Sequence, residues 1–221
     1  MVRKTPYDIG LRAPFSLVLA GVSGSGKTHF CVELLKNASG IMEKPPSRVI
    51  YFYNQWSSPL FDELQRLHLV HEFVQGNPTM DQVREICSEH SNALFIIDDL
   101  ALQTNLDTAE LFTVGRSKLD CNIIFMTQNL FERSGVFRTL SINSSAICIF
   151  KMIRDKTTIL NFAKQFAPGN TRWLLDAYKH ATQQPYTYLF FDMHQRSSDE
   201  VRVLANLFDE NSPISAYRAN T

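Results

Sequence analysis

Two hydrophobic periods alternate along this chain. Short runs in which nearly every residue is apolar recur between segments whose apolar residues return every three or four positions. The first kind reads as strand buried on both faces, the second as amphipathic helix. The predicted strands are Phe15 to Ala20, Arg48 to Tyr53, Val70 to Val74, Leu94 to Ile97, Cys121 to Thr127, Ser145 to Phe150 and Tyr186 to Asp192. Between them, His29 to Asn37 places Phe30, Leu34 and Leu35 at helical spacing. Ser58-Pro59 supplies an N-cap and a first-turn proline for a helix to about Leu67, and Thr79 with Gln82 forms a capping box opening a helix to about His90. Further helices are expected over Asp107 to Lys118, after Lys156 until Pro168-Gly169-Asn170 breaks it, over Thr171 to His180, and over Asp199 to Phe208 as a closing amphipathic element. Strands alternating with helices predict a doubly wound α/β fold, a mostly parallel central sheet flanked by helices.

Composition narrows the class. With 221 residues, 44% of them hydrophobic, the chain is long enough to bury one sizeable core. It divides into a lead-in over 1–13, one domain over 14–209 and a polar tail over 210–221. The 22 basic and 22 acidic side chains cancel, so any nucleic-acid contact must come from local clusters. Cys31, Cys87, Cys121 and Cys148 lie far apart and form no C-x-x-C pair, which argues against a zinc knuckle or a disulfide framework. There is no signal-peptide core and no apolar run of membrane-spanning length, so a soluble protein of a reducing compartment, with no membrane partner, is expected.

The candidate chemistry begins directly after the first strand. Gly21-Val22-Ser23-Gly24-Ser25-Gly26-Lys27-Thr28-His29 has the form of a phosphate-binding loop between a strand and a helix. Its glycines let successive backbone N–H groups approach a polyphosphate at the positive end of the helix dipole. Lys27 would reach the β- and γ-phosphates of ATP, and Thr28 would place its hydroxyl on Mg²⁺. A second anchor is the strand Leu94-Phe95-Ile96-Ile97, which ends in Asp98-Asp99. At the C-terminal edge of a parallel sheet, Asp98 would hold the metal shell and Asp99 would orient the attacking water; a helix cap is the plainer alternative. Gln128 follows another buried strand and is read either as a γ-phosphate sensor or as a capping amide. Tyr53 and Trp56 could stack on a base, although packing is the commoner role.

The set Gly21 to Thr28, Leu94 to Asp99, Thr127-Gln128-Asn129-Leu130-Phe131 and Phe150-Lys151-x-x-Arg154-Asp155-Lys156 resembles the viral genome-packaging ATPases of the FtsK/HerA superfamily. The resemblance leans toward those of polinton-like and adintovirus-like elements and, more distantly, poxviruses, and it covers about residues 13 to 192. It implies a RecA-like P-loop ATPase that assembles as a homo-oligomeric ring and pumps double-stranded DNA into a preformed capsid. The capsid or portal vertex would be its partner, and virion assembly sites in the host nucleus or cytoplasm its location. On this resemblance Lys27, Asp99 and Gln128 are catalytic, and Thr28 with Asp98 binds the metal. Arg154 is a candidate arginine finger supplied to the neighbouring subunit, with a surface salt bridge as the alternative; Arg138 and Arg116 are weaker candidates. One departure is that Gly115-Arg116-Ser117-Lys118 stands where packaging relatives often carry a histidine pair. Arg116 and Lys118 could line a pore and touch phosphates, or belong to a solvated helix end.

Other classes remain open. A GTPase would carry an Asn-Lys-x-Asp motif, which is absent, and no Arg-rich lid of a small-molecule kinase is evident. A translocase or helicase of replication or segregation, a P-loop kinase acting without a ring, and a nucleotide-dependent assembly scaffold are the competing readings.

Overall fold

The computed structural model describes residues 10–56, 58–98, 110–128, 130, 140–208 and 213–219. The strands are β1 (Ser16–Ala20), β2 (Val49–Tyr53), β3 (Glu72–Gln75), β4 (Leu94–Asp98), β5 (Asn122–Thr127), β6 (Ala146–Phe150), β7 (Tyr188–Asp192), β8 (Val203–Ala205) and β9 (Ser215–Ala216). They form one sheet in the order β3-β2-β4-β5-β1-β6-β7-β8-β9. The six strands from β3 to β6 are parallel, and β7, β8 and β9 are added antiparallel at one side. The expected mostly parallel α/β sheet is therefore the observed one.

β1 lies in the interior of the sheet because all five of its residues are buried, and its alternate side chains serve two different cores. Val18 and Ala20 join the cluster under the helices α4 (Met80–Glu89), α5 (Lys156–Phe166) and α6 (Thr171–Ala181). Leu17 and Leu19 join the opposite cluster, with Phe30, Cys31, Leu34 and Leu35 of α1 (Lys27–Lys36) and Phe61 and Leu64 of α3 (Leu60–Arg66). A short helix α2 (Ala38–Ile41) follows α1. Full burial of each leucine contributes about 1.5–3 kcal/mol.

Buried polar groups fasten the N-terminal edge of the sheet, away from the loops that carry the candidate chemistry. The Ser16 and Ser145 backbones each donate to the other's hydroxyl, at 2.8 and 3.2 Å, which ties the start of β1 to β6. Asn122 accepts from Phe15 N at 3.0 Å and donates to Asn92 at 2.8 Å, tying β1, β5 and the approach to β4. Each buried polar atom finds a partner there, as burial in an apolar interior demands.

Three expectations need correction. The helix expected over Asp199 to Phe208 is instead a 3₁₀ turn (Asp199–Val201) followed by β8. Val203 and Leu204 pair antiparallel with Phe191 and Phe190, so an unpaired edge of β7 overrides a weak helical period. The segment read as a polar tail supplies β9, whose Ser215 and Ala216 pair with β8. Before α3 the cap position is Pro59, and Ser58 instead accepts a hydrogen bond from Trp56 Nε1 at 3.0 Å. The capping box of α4 forms as predicted, with Thr79 Oγ1 accepting from Gln82 N and Gln82 Oε1 accepting from Thr79 N.

Candidate functional site

The loop between β1 and α1 takes its shape from glycine at particular places. Gly24 and Gly26 sit at φ of 71° and 104°, a left-handed region that glycine enters without a Cβ penalty. Gly21 is required for a different reason: a Cβ there would lie 2.5 Å from Ser25 Oγ and 2.7 Å from Phe150 Cβ. Its N–H donates to Thr127 O at 3.0 Å, which locks the start of the loop to the end of β5. The Lys27 side chain is buried and turns back over the loop, donating to Gly21 O at 2.6 Å and Val22 O at 3.2 Å. Ser25 Oγ is buried with no hydrogen-bond partner among the described residues. An orphaned hydroxyl inside a glycine loop, at a helix N-terminus, fits a phosphate-bearing ligand.

The sheet order decides what faces this loop. β5 lies between β1 and β4, so Asp98 stands two strands, or about 10 Å, to one side of the loop. Gln128 follows Thr127, whose register partner is Ala20, and therefore emerges exposed beside Gly21. On the other side of β1, β6 ends at Phe150, and β7 begins opposite it at Tyr188. Asp98, Gln128 and the glycine loop share the C-terminal edge of the parallel strands, where ligands of open α/β sheets bind.

A residue the sequence reading passed over connects Thr28 to Asp98. Tyr51 of β2 is fully buried among Phe61 and Phe73, and its hydroxyl donates to Asp98 Oδ2 at 2.7 Å. The Thr28 side chain lies near enough to the same phenol to bear on its ionisation. Burial first, and then the Asp98 carboxylate, push the Tyr51 phenol well above its ordinary range, so it stays protonated and keeps donating. Cys31 of α1 is pushed up by burial and by Asp98 in the same way, and remains a thiol. Only three-dimensional pairing reveals this contact, because 47 residues separate Tyr51 from Asp98.

Asp98, Thr28 and Lys27 line one cleft of about 940 Å³, together with Ser23, Gly24, Gly26 and His29 of the loop and α1. Trp56, from the connection after β2, and Tyr186, from the turn before β7, complete its walls. Trp56 packs edge-on against Tyr53 and Phe61, at centroid distances of 5.6 and 5.0 Å, so the packing role weighed for Tyr53 and Trp56 is the one observed. A hydroxyl and a carboxylate are hard oxygen ligands and could hold Mg²⁺, which keeps several waters and substrate phosphates in its shell. No group of three or more His, Cys, Asp or Glu residues with metal-site geometry occurs among the described residues. The donor set therefore fits a cation shared with a bound nucleotide better than a protein-only cage.

The remaining candidates are placed unevenly. Arg154 is exposed in the turn between β6 and α5, is absent from the cleft lining and forms no ion pair among the described residues. Asp99, Asn129, Phe131 and Arg138 lie outside the described residues. In the expected 107–118 helix, Leu111–Gly115 is a π-helical turn that runs into α-helical Arg116–Lys118, and Lys118 is exposed. Gly115 is needed for packing, since a Cβ would lie 2.7 Å from Leu111 Cδ1 and 3.1 Å from Cys121 Sγ.

No protein-family model matches the chain, and no curated protein sequence matches it. Solved structures do. The genome packaging NTPase B204 from Sulfolobus turreted icosahedral virus 2, in complex with ATP-gammaS, superposes with a TM-score of 0.53 at 13% identity, over 92% of this chain and 96% of that one. The same protein in complex with AMPPCP gives a TM-score of 0.52 at 13% identity, over 94% and 99%. At such identity the likeness is one of fold. The chain has the fold of a P-loop NTPase, carried along nearly the whole length of both molecules.

Proposed function

We propose that this chain is an ATP-driven motor that moves double-stranded DNA into a preformed viral capsid. One observation weighs most: the glycine loop, Lys27, Thr28 and Asp98 meet in a single cleft, within a fold shared end to end with a genome packaging NTPase that binds ATP analogues.

In this reading the loop amides and the dipole of α1 hold the triphosphate, and Lys27 exchanges its contacts to Gly21 and Val22 for the β- and γ-phosphate oxygens. Thr28 and Asp98 would hold Mg²⁺, which would offset charge on the phosphates. Tyr51 donates to Asp98 Oδ2 and so restricts the orientation of that carboxylate. Asp99 orients and deprotonates the attacking water, and Gln128, beside the loop, senses the γ-phosphate. Arg154, exposed and not part of the lining of its own cleft, acts in trans, neutralising charge that develops on the γ-phosphoryl of a neighbouring subunit. Hydrolysis then requires a ring, and the ring encloses DNA. Lys118, exposed beside Arg116, offers phosphate contacts without sequence readout, and a capsid vertex is the docking partner. The packaging branch of polinton-like elements is the nearest frame for the Gln128 and Arg154 blocks, with assembly sites in the host cell as the location.

The direct test is Lys27→Ala. It should lower ATP turnover at least about 100-fold, the scale expected when a preorganised charge on the reacting group is lost. Thermal unfolding of the variant, compared with wild type, separates this from misfolding. Turnover within about threefold of wild type, in a folded variant, would contradict the reading.

A further inference from the structure

The cleft has two ends, and only one of them is occupied by the chemistry above. Asp98 and Gln128 lie on the β4 and β5 side of β1, so a triphosphate running across the N-terminus of α1 keeps its γ end there. Its nucleoside must then leave toward β6 and β7. On that side stands Tyr186, in the turn between α6 and β7.

We infer that Tyr186 is the stacking platform for the nucleotide base, an inference that rests on the nucleotide-binding reading of the glycine loop. Four features of the structure point there. Tyr186 lines the cleft and is 69% exposed, and it makes no hydrogen bond or ring contact with any described residue. Its Cβ lies 3.4 Å from the point where a side chain on Gly26 would begin, so the ring hangs directly beside the loop that would hold the α- and β-phosphates. Its φ of 62° is unusual for a bulky residue and marks a backbone that the surrounding structure imposes. That turn is fastened on both flanks: Lys151 Nζ donates to Gln183 O at 2.7 Å, Lys151 N donates to Thr187 O at 3.1 Å, and Thr187 Oγ1 donates to Gln184 O at 2.7 Å. An aromatic ring displayed on a rigid turn presents a π face at small entropic cost on binding. Trp56 also lines the cleft and is 42% exposed, but its ring packs edge-on against Tyr53 and Phe61 at the Asp98 end, away from the side toward which the nucleoside leaves.

Stacking is tolerant of base identity, because every base has a π face. The platform therefore binds the ring of a nucleoside triphosphate generally and does not by itself choose adenine. The experiment compares a ligand with a base and one without, ATPγS and inorganic tripolyphosphate, by equilibrium titration of the full chain. Tyr186→Ala should weaken ATPγS roughly 5- to 100-fold, with GTPγS weakened to a similar degree, and leave tripolyphosphate within about twofold of wild type. Tyr186→Phe and Tyr186→Trp should keep the wild-type preference for ATPγS over tripolyphosphate. ATPγS affinity unchanged in Tyr186→Ala, or an equal loss for both ligands, would overturn the assignment. A wild-type chain that binds neither ligand would overturn the reading of the loop itself, a result distinct from failure of the platform alone.

Discussion

At Tyr51 a single hydroxyl lies by both side chains proposed to hold the metal, donating to Asp98 and influenced by the nearby Thr28. A carboxylate with one oxygen engaged by a protonated phenol loses rotational freedom. Its orientation is thereby restricted, and outer-shell partners of this kind tune metal affinity about 10- to 100-fold. Tyr51→Phe removes only the oxygen and keeps the ring against Phe61 and Phe73. Half-saturation by Mg²⁺ should rise at least about tenfold, in ATP turnover and equally in Mn²⁺ binding followed by electron paramagnetic resonance with nucleotide present. Unchanged metal affinity by both readouts would reduce Tyr51 to a packing residue. Nothing in the sequence marks this residue, since an aromatic in a β-branched run looks like core. The positive-φ tyrosine before β7 is equally silent, because Tyr186 to Asp192 reads simply as strand.

Among the elements, strands buried on both faces were the most legible. β1, β2, β4, β5 and β6 match their predicted runs to within two residues at each end, because a parallel strand with no solvent face must be apolar throughout, and antiparallel β7, whose Leu189 to Phe191 are buried, matches as closely. The glycine loop was legible for a related reason, since its backbone geometry admits few residue types. β8 and β9 were not legible: their pairing is decided by the free edge of β7, a property of the assembled sheet that no local period encodes. Helix starts fall between these extremes, as α5 shows. Asp155 caps it by accepting from Thr158 N at 3.0 Å and from the Thr158 hydroxyl, contacts that hold the Asp155 carboxyl below its ordinary range. A carboxylate with a depressed folded-state pKa stabilises the fold above its unfolded value, about 3.9, and loses that contribution as pH falls through the folded value. Asp155→Ala should cost about 1 kcal/mol, read as a lower Tm at pH 7. That difference should shrink below about pH 4, where the wild-type carboxylate also takes up its proton. A Tm difference that stays constant down to pH 3 would show that the cap acts without its charge.

At the scale of the whole molecule the sheet sorts chemistry to either side of β1. The β4 and β5 side holds the groups suited to the γ-phosphate, and the β6 and β7 side holds the ring suited to the base. Arg154 follows β6 yet does not line the cleft of its own chain. On the proposed reading, that placement suits an active site completed by a neighbour, and activity would then be a property of the assembly. With a net charge of zero, the proposed attraction to DNA would have to come from local cations, so any effect of DNA should weaken steeply with salt. The measurement that tests this account most directly is ATP turnover by the purified chain, with and without long double-stranded DNA, across protein concentrations that span assembly. The account predicts turnover per chain that rises steeply with concentration, rises again with DNA, and is lost in Arg154→Ala even when that variant still assembles. Turnover per chain independent of both concentration and DNA, and unchanged in Arg154→Ala, would contradict it and favour a P-loop enzyme that works alone.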